Sequence, residues 1–429
     1  MSALAIGSTQ ALSPEAAGEA LANQVEKGLG GAAAVGGGLL LATSAAGSQG
    51  LEVGRILGRR WPRGDLVGTS FEGIVSEGRL WRDRPALALL AWGRAWGEEG
   101  ARPGVFGVDA GEEDVPGLLA HEILEAGGRS VLGPEDLVLL FPDVHSPRAI
   151  EPLLSRLTPL LGAASIAGAG ASGLNGDAAP AWLDSTSWAG SWVGLVLPGP
   201  EAVRPGDEQE GRTPRSLRPP RPRPRVRTAP ASRACSPWMG VTRRRGHWIE
   251  RLDGEPALAR LRRELGLATR SSLEQPLDRL LVRIRAVGAV EGSDAKGVSE
   301  RTDPEVYEER FVIGIDERRG AIALPTAVRS GEQIAFALPD PGLARDALRA
   351  GIEAIEPTDC LLHFGCRARD ASLHGDPDLE PALVAHLARG RGTLGTVGPL
   401  QLGPDRVGTV RLLVHATVLA ALGVARCPP

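Results

Sequence analysis

The residues best placed by type to do chemistry lie on short glycine-rich turns. Thr69, Ser70, Glu72 and Gly73 fall in Val67-Gly-Thr-Ser-Phe-Glu-Gly73. A carboxylate and two hydroxyls on a tight loop after an apolar run can hold the ammonium or hydroxyl of a small polar molecule, or can cap local backbone. Cys366 ends another apolar run and has Arg367, Arg369 and His374 close by in sequence. Neighbouring cations lower a thiol pKa and favour a nucleophile, whereas a cysteine closing a core strand is ordinarily buried and inert. The reading here is a pocket-lining or structural Cys366, with a thiol hydrolase pairing Cys366 and His374 as the rival. Gly168-x-Gly170-x-x-Gly173 matches the dinucleotide fingerprint as a string, but Leu174 to Pro180 continues as turn chemistry. Without a helix directly after the glycines there is no helix N-terminus for a pyrophosphate, so a glycine loop is expected instead.

Metal and cofactor chemistry finds no pattern. The four cysteines, Cys235, Cys360, Cys366 and Cys427, form no Cys-x-x-Cys pair, and the seven histidines lack ligand spacing. His121-Glu122 has no second histidine four residues on and reads as a solvated helix face. His363 and His415 lie on apolar strands and read as core histidines. No cofactor is expected.

These turns recur because the elements around them recur. An apolar strand, an amphipathic helix, a second strand ending in a small-residue loop, and a further apolar strand follow one another three times. The first copy runs from Leu39–Ala42 through Val67–Gly73 to Ala86–Trp92, and the second from Leu137–Phe141 through Leu161–Gly168 to Val193–Leu197. The third runs from Cys360–Cys366 through Thr393–Gly398 to Arg411–His415. The expected fold class is α/β (α+β): two related domains of mixed β-sheets flanked by helices.

Composition sets the boundaries. At 429 residues, 42% hydrophobic and net charge -4, the chain is long enough for two or three cored domains and carries no general mandate for nucleic acid. Residues 1–200 read as one domain. Residues 201–234 hold Pro-Arg alternation and read as a linker or exposed hairpin, and 235–425 as a second domain. Ser13-Pro14-Glu15 reads as a helix start. In the second domain, Trp248–Leu252, Phe311–Ile315, Ala321–Leu324 and Gln333–Leu338 read as strands, with helices from Pro256 to Leu265 and from Pro341 to Ile355. Residues 266–308 carry no readable pattern. The stretch Gly28–Gly47 is uncharged but mostly Gly and Ala, which transfer poorly into lipid. Cytoplasmic placement with no membrane insertion is therefore expected.

The ordered motifs resemble the FIST family, sensory modules with N- and C-terminal FIST domains. Val67–Gly73 resembles the family's G-[CT]-[ST]-x-x-G segment, and Leu160–Ser165 and Gly190–Leu197 its later strands. Ala234-Cys235-Ser-Pro237, Val241-Thr242 and Leu252-Asp-Gly-Glu-Pro-Ala257 follow its Cys-x-Pro, Val-Thr, L-D-G-x-P-A order. Leu362–Cys366 with Arg369 resembles its S-C-x-G-R-G segment, although Ala368 and Asp370 replace glycines. Its late G-E-I-x-P motif reads here as Gly398-Pro-Leu-Gln401, with no glutamate.

The resemblance implies a stand-alone bacterial signal-transduction protein, not an enzyme. It would bind a small ligand such as an amino acid or small carboxylate and signal to a separate protein. Thr69, Ser70, Glu72, Gly73, Cys366, Arg369 and Gln401 would be the contacts, with Arg369 gripping a carboxylate. A protein-interaction scaffold with a degenerate ligand site is the alternative.

Overall fold

Three six-stranded sheets of the same construction share one core. In the computed structural model, the described residues are 4–10, 13–97, 102–145, 150–184, 186–189, 191–199, 225–267, 279–285, 307–355, 359–405 and 408–422. Each sheet is built around one parallel pair: Val35–Thr43 with Asp65–Phe71, Leu137–Pro142 with Ser165–Ala169, and Cys360–Cys366 with Gly392–Gly398. Antiparallel to the first member of each pair lies the strand that closes the unit: Leu87–Gly93, Trp192–Leu197 and Ala416–Leu422. Beyond it lies an edge strand: Leu4–Thr9, Gly104–Val108 and Arg225–Pro230.

The other edge of each sheet comes from a different unit. The hairpin Gly73–Ser76/Arg79–Arg82 of the first unit pairs with Gly392–Gly398 of the third. The hairpin Pro180–Leu183/Thr186–Ala189 of the second pairs with Asp65–Phe71 of the first. The hairpin Gln401–Pro404/Val410–Leu413 of the third pairs with Ser165–Ala169 of the second. The exchange is cyclic, so the three units interlock.

Strand alternation sorts each sheet into an inner and an outer face. Leu39, Leu41, Leu137, Leu139, Phe141, Leu362 and Phe364 point into the shared core. Phe141 contacts Phe71 at a ring distance of 5.5 Å, nearly edge to face, and Phe364 at 5.9 Å, so aromatic residues of all three units meet there. The outer faces pack on helices. Leu40 and Ala42 meet Pro14–Leu29 and Gly47–Arg60, Val138 and Leu140 meet Val115–Ala126 and Ile150–Leu161, and Leu361 meets Pro341–Ala354 and Leu379–Leu387. The first helix starts as its sequence dictates: Ser13 Oγ accepts the Ala16 N–H at 3.2 Å, Pro14 takes the first turn, and Gly30 ends it at φ 92°.

The repeat extends to single residues. Gly68, Gly168 and Gly395 stand opposite Leu40, Leu140 and His363 in the three parallel pairs. A Cβ on each would lie 2.4, 1.9 and 1.8 Å from that partner's carbonyl oxygen. Only glycine allows the strands so close.

A fourth, nine-stranded antiparallel sheet is inserted in the third unit, between Arg225–Pro230 and the helix Pro341–Ala354. Its core is Met239, Ile249, Leu258, Leu261, Ile322, Phe336 and their neighbours.

The structure changes several expectations. The third copy closes on Ala416–Leu422, whereas Arg411–His415 lies largely in the exchanged hairpin strand Val410–Leu413. Within the expected linker or hairpin, Arg225–Pro230 and Ser232–Ala234 are strands of two different sheets; most of the Pro-Arg run before them lies outside the described residues. Two of the three six-stranded sheets join residues from before 200 with residues after 225 and so span the expected division, whereas the first sheet lies wholly before it. Leu281–Arg285 is a central strand of the inserted sheet within the stretch that carried no readable pattern. Among the described residues, no helix is long and apolar enough to cross a membrane.

Candidate functional site

The small-residue loops do gather, because each ends a strand of a parallel pair. Ser70 Oγ donates to Ser172 O at 2.8 Å, and Ser172 N donates back to Ser70 O at 2.9 Å. Gly170 N donates to Leu400 O at 3.0 Å, and Arg367 Nη1 to Glu72 Oε1 at 2.7 Å. Turns of all three units therefore touch. Most polar groups expected to face a ligand are, however, engaged within the protein; Gln401 Oε1 is buried with no hydrogen-bond partner among the described residues. Thr69 Oγ1 donates to Pro180 O at 3.0 Å, and Gln401 Nε2 donates to the carbonyls of Gly365 and Gly398 at 3.0 and 3.2 Å. Thr69, Ser70 and Gln401 are fully buried. Gly73 begins the exchanged hairpin and pairs with Arg82 and Val397.

Arg369 also turns inward. Only 1% exposed, it places Nε and Nη2 each 2.8 Å from Glu380 Oε2 and donates from Nη1 to Ala229 O at 3.0 Å. Glu380, on the helix Leu379–Leu387, further meets His363 Nε2 at 3.0 Å, His374 Nε2 at 3.3 Å and the Thr417 hydroxyl. Burial pushes the Glu380 carboxyl up, but Arg369 and the two histidines outweigh it and hold the group well below the usual carboxylate range.

Cys366 is buried beside this cluster. Burial raises its thiol, and the N–H groups of Ala368 and His415 together with Arg369 and Arg367 offset only part of that rise. A raised, covered thiol is a poor nucleophile. His363, read as a core histidine, is one and is bonded to Glu380. His415 is buried as well, at φ 54°, and its Nδ1 has no hydrogen-bond partner among the described residues. Glu380 drew no notice in the sequence because one acid on a short apolar helix looks like a solvated face.

A cavity of about 710 Å³ lies apart from this cluster, lined by other residues. It runs along the seam between the exchanged hairpin of residues 401–413 and the edge strand Arg225–Pro230, and Tyr307–Glu309 of the inserted sheet closes one side. The cavity size suits a small ligand. Ile166, Val226, Leu412 and Leu413 supply apolar wall; Arg227, Glu308, Glu309, Asp405 and Arg411 supply charge. None of the seven residues expected to contact ligand lines it. Val414 and Ala416 do, and His415 between them contacts Phe311 of the inserted sheet at 6.3 Å between ring centroids. The inserted sheet is further tied to the body by Arg310 to Glu151 and by Arg411 to Glu308 at 3.1 Å.

The acidic group His121, Glu122 and Glu125 is the one cluster of metal-ligand types among the described residues, and His121 pairs there with Glu125 at 3.5 Å. Gly168–Gly173 leads into a single turn at Leu174–Gly176 and not into a long helix, as its turn chemistry requires.

No protein-family model matches the chain, and no curated protein is significantly similar to it.

Proposed function

We propose that this chain is a small-ligand-binding sensory protein of the FIST type, that its ligand occupies the seam cavity, and that the inserted sheet passes the signal to a separate partner protein. The observation that carries this reading is the placement of the roughly 710 Å³ cavity. It sits where two repeated units and the single non-repeated element meet, so an occupant touches all of them. A ligand in such a place biases how the inserted sheet sits on the body, which is what a sensor requires. Cys235, Cys360 and Cys366 form no disulfide among the described residues, which suits a reducing compartment, so the cytoplasm is the proposed location.

The test is a thermal-shift screen of the full chain against amino acids and small carboxylates. Ligand at 100 times its dissociation constant adds about 2.7 kcal/mol of stability. Ala163, exposed on the cavity rim, provides the control: Ala163→Trp fills the entrance and should remove the shift. No shift with any compound up to millimolar concentration overturns the reading.

One observation favours a scaffold instead. Thr69 and Ser70 spend their hydroxyls, and Gln401 its side-chain N–H groups, on the protein's own backbone, as a degenerate loop site would. A scaffold gives no ligand shift and binds a partner through the arginine-rich segment 201–224.

A further inference from the structure

The charges in the seam cavity are not equivalent, and their pairing says what kind of molecule fits. Each cavity carboxylate already has an arginine. Glu308 lies 3.1 Å from both Arg411 and Arg310, Glu309 lies 3.0 Å from Arg283, and Asp405 lies 3.4 Å from Arg411. Arg411 is thus shared between two acids. The other lining cation, Arg227, makes no ion pair among the described residues; its Nη1 donates only to Val226 O at 3.2 Å. Arg227 is exposed on an edge strand, with most of its donor fork free. The apolar lining that stays partly exposed includes Leu412 and Leu413, whereas Ile166 and Val226 are buried in the core.

From this we infer that the cavity takes an amphipathic monocarboxylic acid, an acyl or aryl acid whose carboxylate meets Arg227 and whose apolar body lies against Leu412 and Leu413. The inference rests on the ligand-binding reading above and narrows it. An α-amino acid fits poorly, because its ammonium group would need a free carboxylate and would have to compete with Arg411 or Arg283 for one. An acid with an apolar tail meets one unpaired cation and covers apolar wall, so neither end is left unsatisfied.

The experiment compares octanoate, octanamide, octylamine and glutamate by calorimetric titration of the full chain, the Ala163→Trp variant and the Arg227→Gln variant. Octanoate should bind the parent chain at least about tenfold tighter than the amide or amine, the scale of one charge-assisted contact. Arg227→Gln should bring octanoate and octanamide to within about twofold while leaving the unliganded melting temperature unchanged. Ala163→Trp should abolish binding of both. Equal binding of octanoate and octanamide, tighter binding of octylamine, or an unchanged preference in Arg227→Gln overturns the inference. Glutamate binding without octanoate also overturns it but leaves the ligand-binding reading standing. No binding by any of the four overturns both.

Discussion

Arg369 and Glu380 form a buried ion pair in which two guanidinium nitrogens lie 2.8 Å from a single carboxylate oxygen. The pair joins the turn after Cys366 to the helix outside the third sheet, and through Ala229 O to the strand that walls the cavity. Arg369 is therefore a structural strut; the carboxylate it grips belongs to the protein itself.

Removing one partner should leave the other charged, buried and alone. Glu380→Ala or Arg369→Ala should each cost about 3–5 kcal/mol in urea unfolding. The double replacement Arg369→Met with Glu380→Leu should cost clearly less than the sum, because both desolvated charges go together. Additive costs would show that the two residues do not act as a pair.

Acid sensitivity should begin near neutrality. Burial, followed by the nearby Arg369, pulls His415 from 6.5 down to about 4, with its own backbone and Glu380 opposing. Its folded pKa is below the unfolded one, so the unfolded chain binds the extra proton. The stability this supplies is complete above pH 6.5 and falls away between there and about pH 4, a loss of ~3 kcal/mol. Glu380 adds a second loss at lower pH: its stabilisation is present above its ordinary value of 4.5 and disappears as pH drops through the depressed folded value. His415→Asn, which suits the left-handed backbone at φ 54°, should flatten the upper part of the profile and leave the lower part.

The close strand approach at the three equivalent glycines should tolerate no side chain. Gly395→Val places atoms where the His363 carbonyl stands and should destabilise by several kcal/mol, about as much as Gly168→Val does against Leu140. Thermal melts of the two variants check this. A loss confined to one of them would show that the repeated positions are not mechanically alike.

Alkylation should be slow. Cys366 and Cys360 are buried, and burial raises both thiols; half-buried Cys235 is raised as well. Iodoacetamide at neutral pH should label these three sites at rates set by opening of the fold and far below that of a free thiol. Fast labelling of Cys366 would revive the thiol-hydrolase reading.

Much of the architecture was legible because period-2 and period-3.6 patterns are local. Leu39 and Leu41, Leu137 and Leu139, and Leu362 and Phe364 announce three strands of one kind, and all six face the shared core. Pairing partners are not local. Nothing near Gly73–Ser76 says that its neighbour is Leu394–Val397, some three hundred residues away. That is why two tandem domains were expected where three units exchange hairpins. The seven expected contact residues were found from their chemistry, and most are structural for the same reason: a serine or glutamine next to a glycine turn is as well suited to tying turns together as to holding a ligand. The cavity residues were missed because Arg227 and Arg411 lie on edge strands of different sheets, and only the exchange brings those edges together.

The cyclic hairpin exchange also bears on synthesis. The segment at residues 79–82 leaves the ribosome early, yet the strand at 392–398 that it extends emerges more than three hundred residues later. The first unit must therefore wait with an orphan hairpin, and the second with an unextended sheet, until the strands at 392–398 and 401–413 have been made. Nascent chains of this protein should depend on chaperones until the third unit's strands emerge and then become protease-resistant in one step.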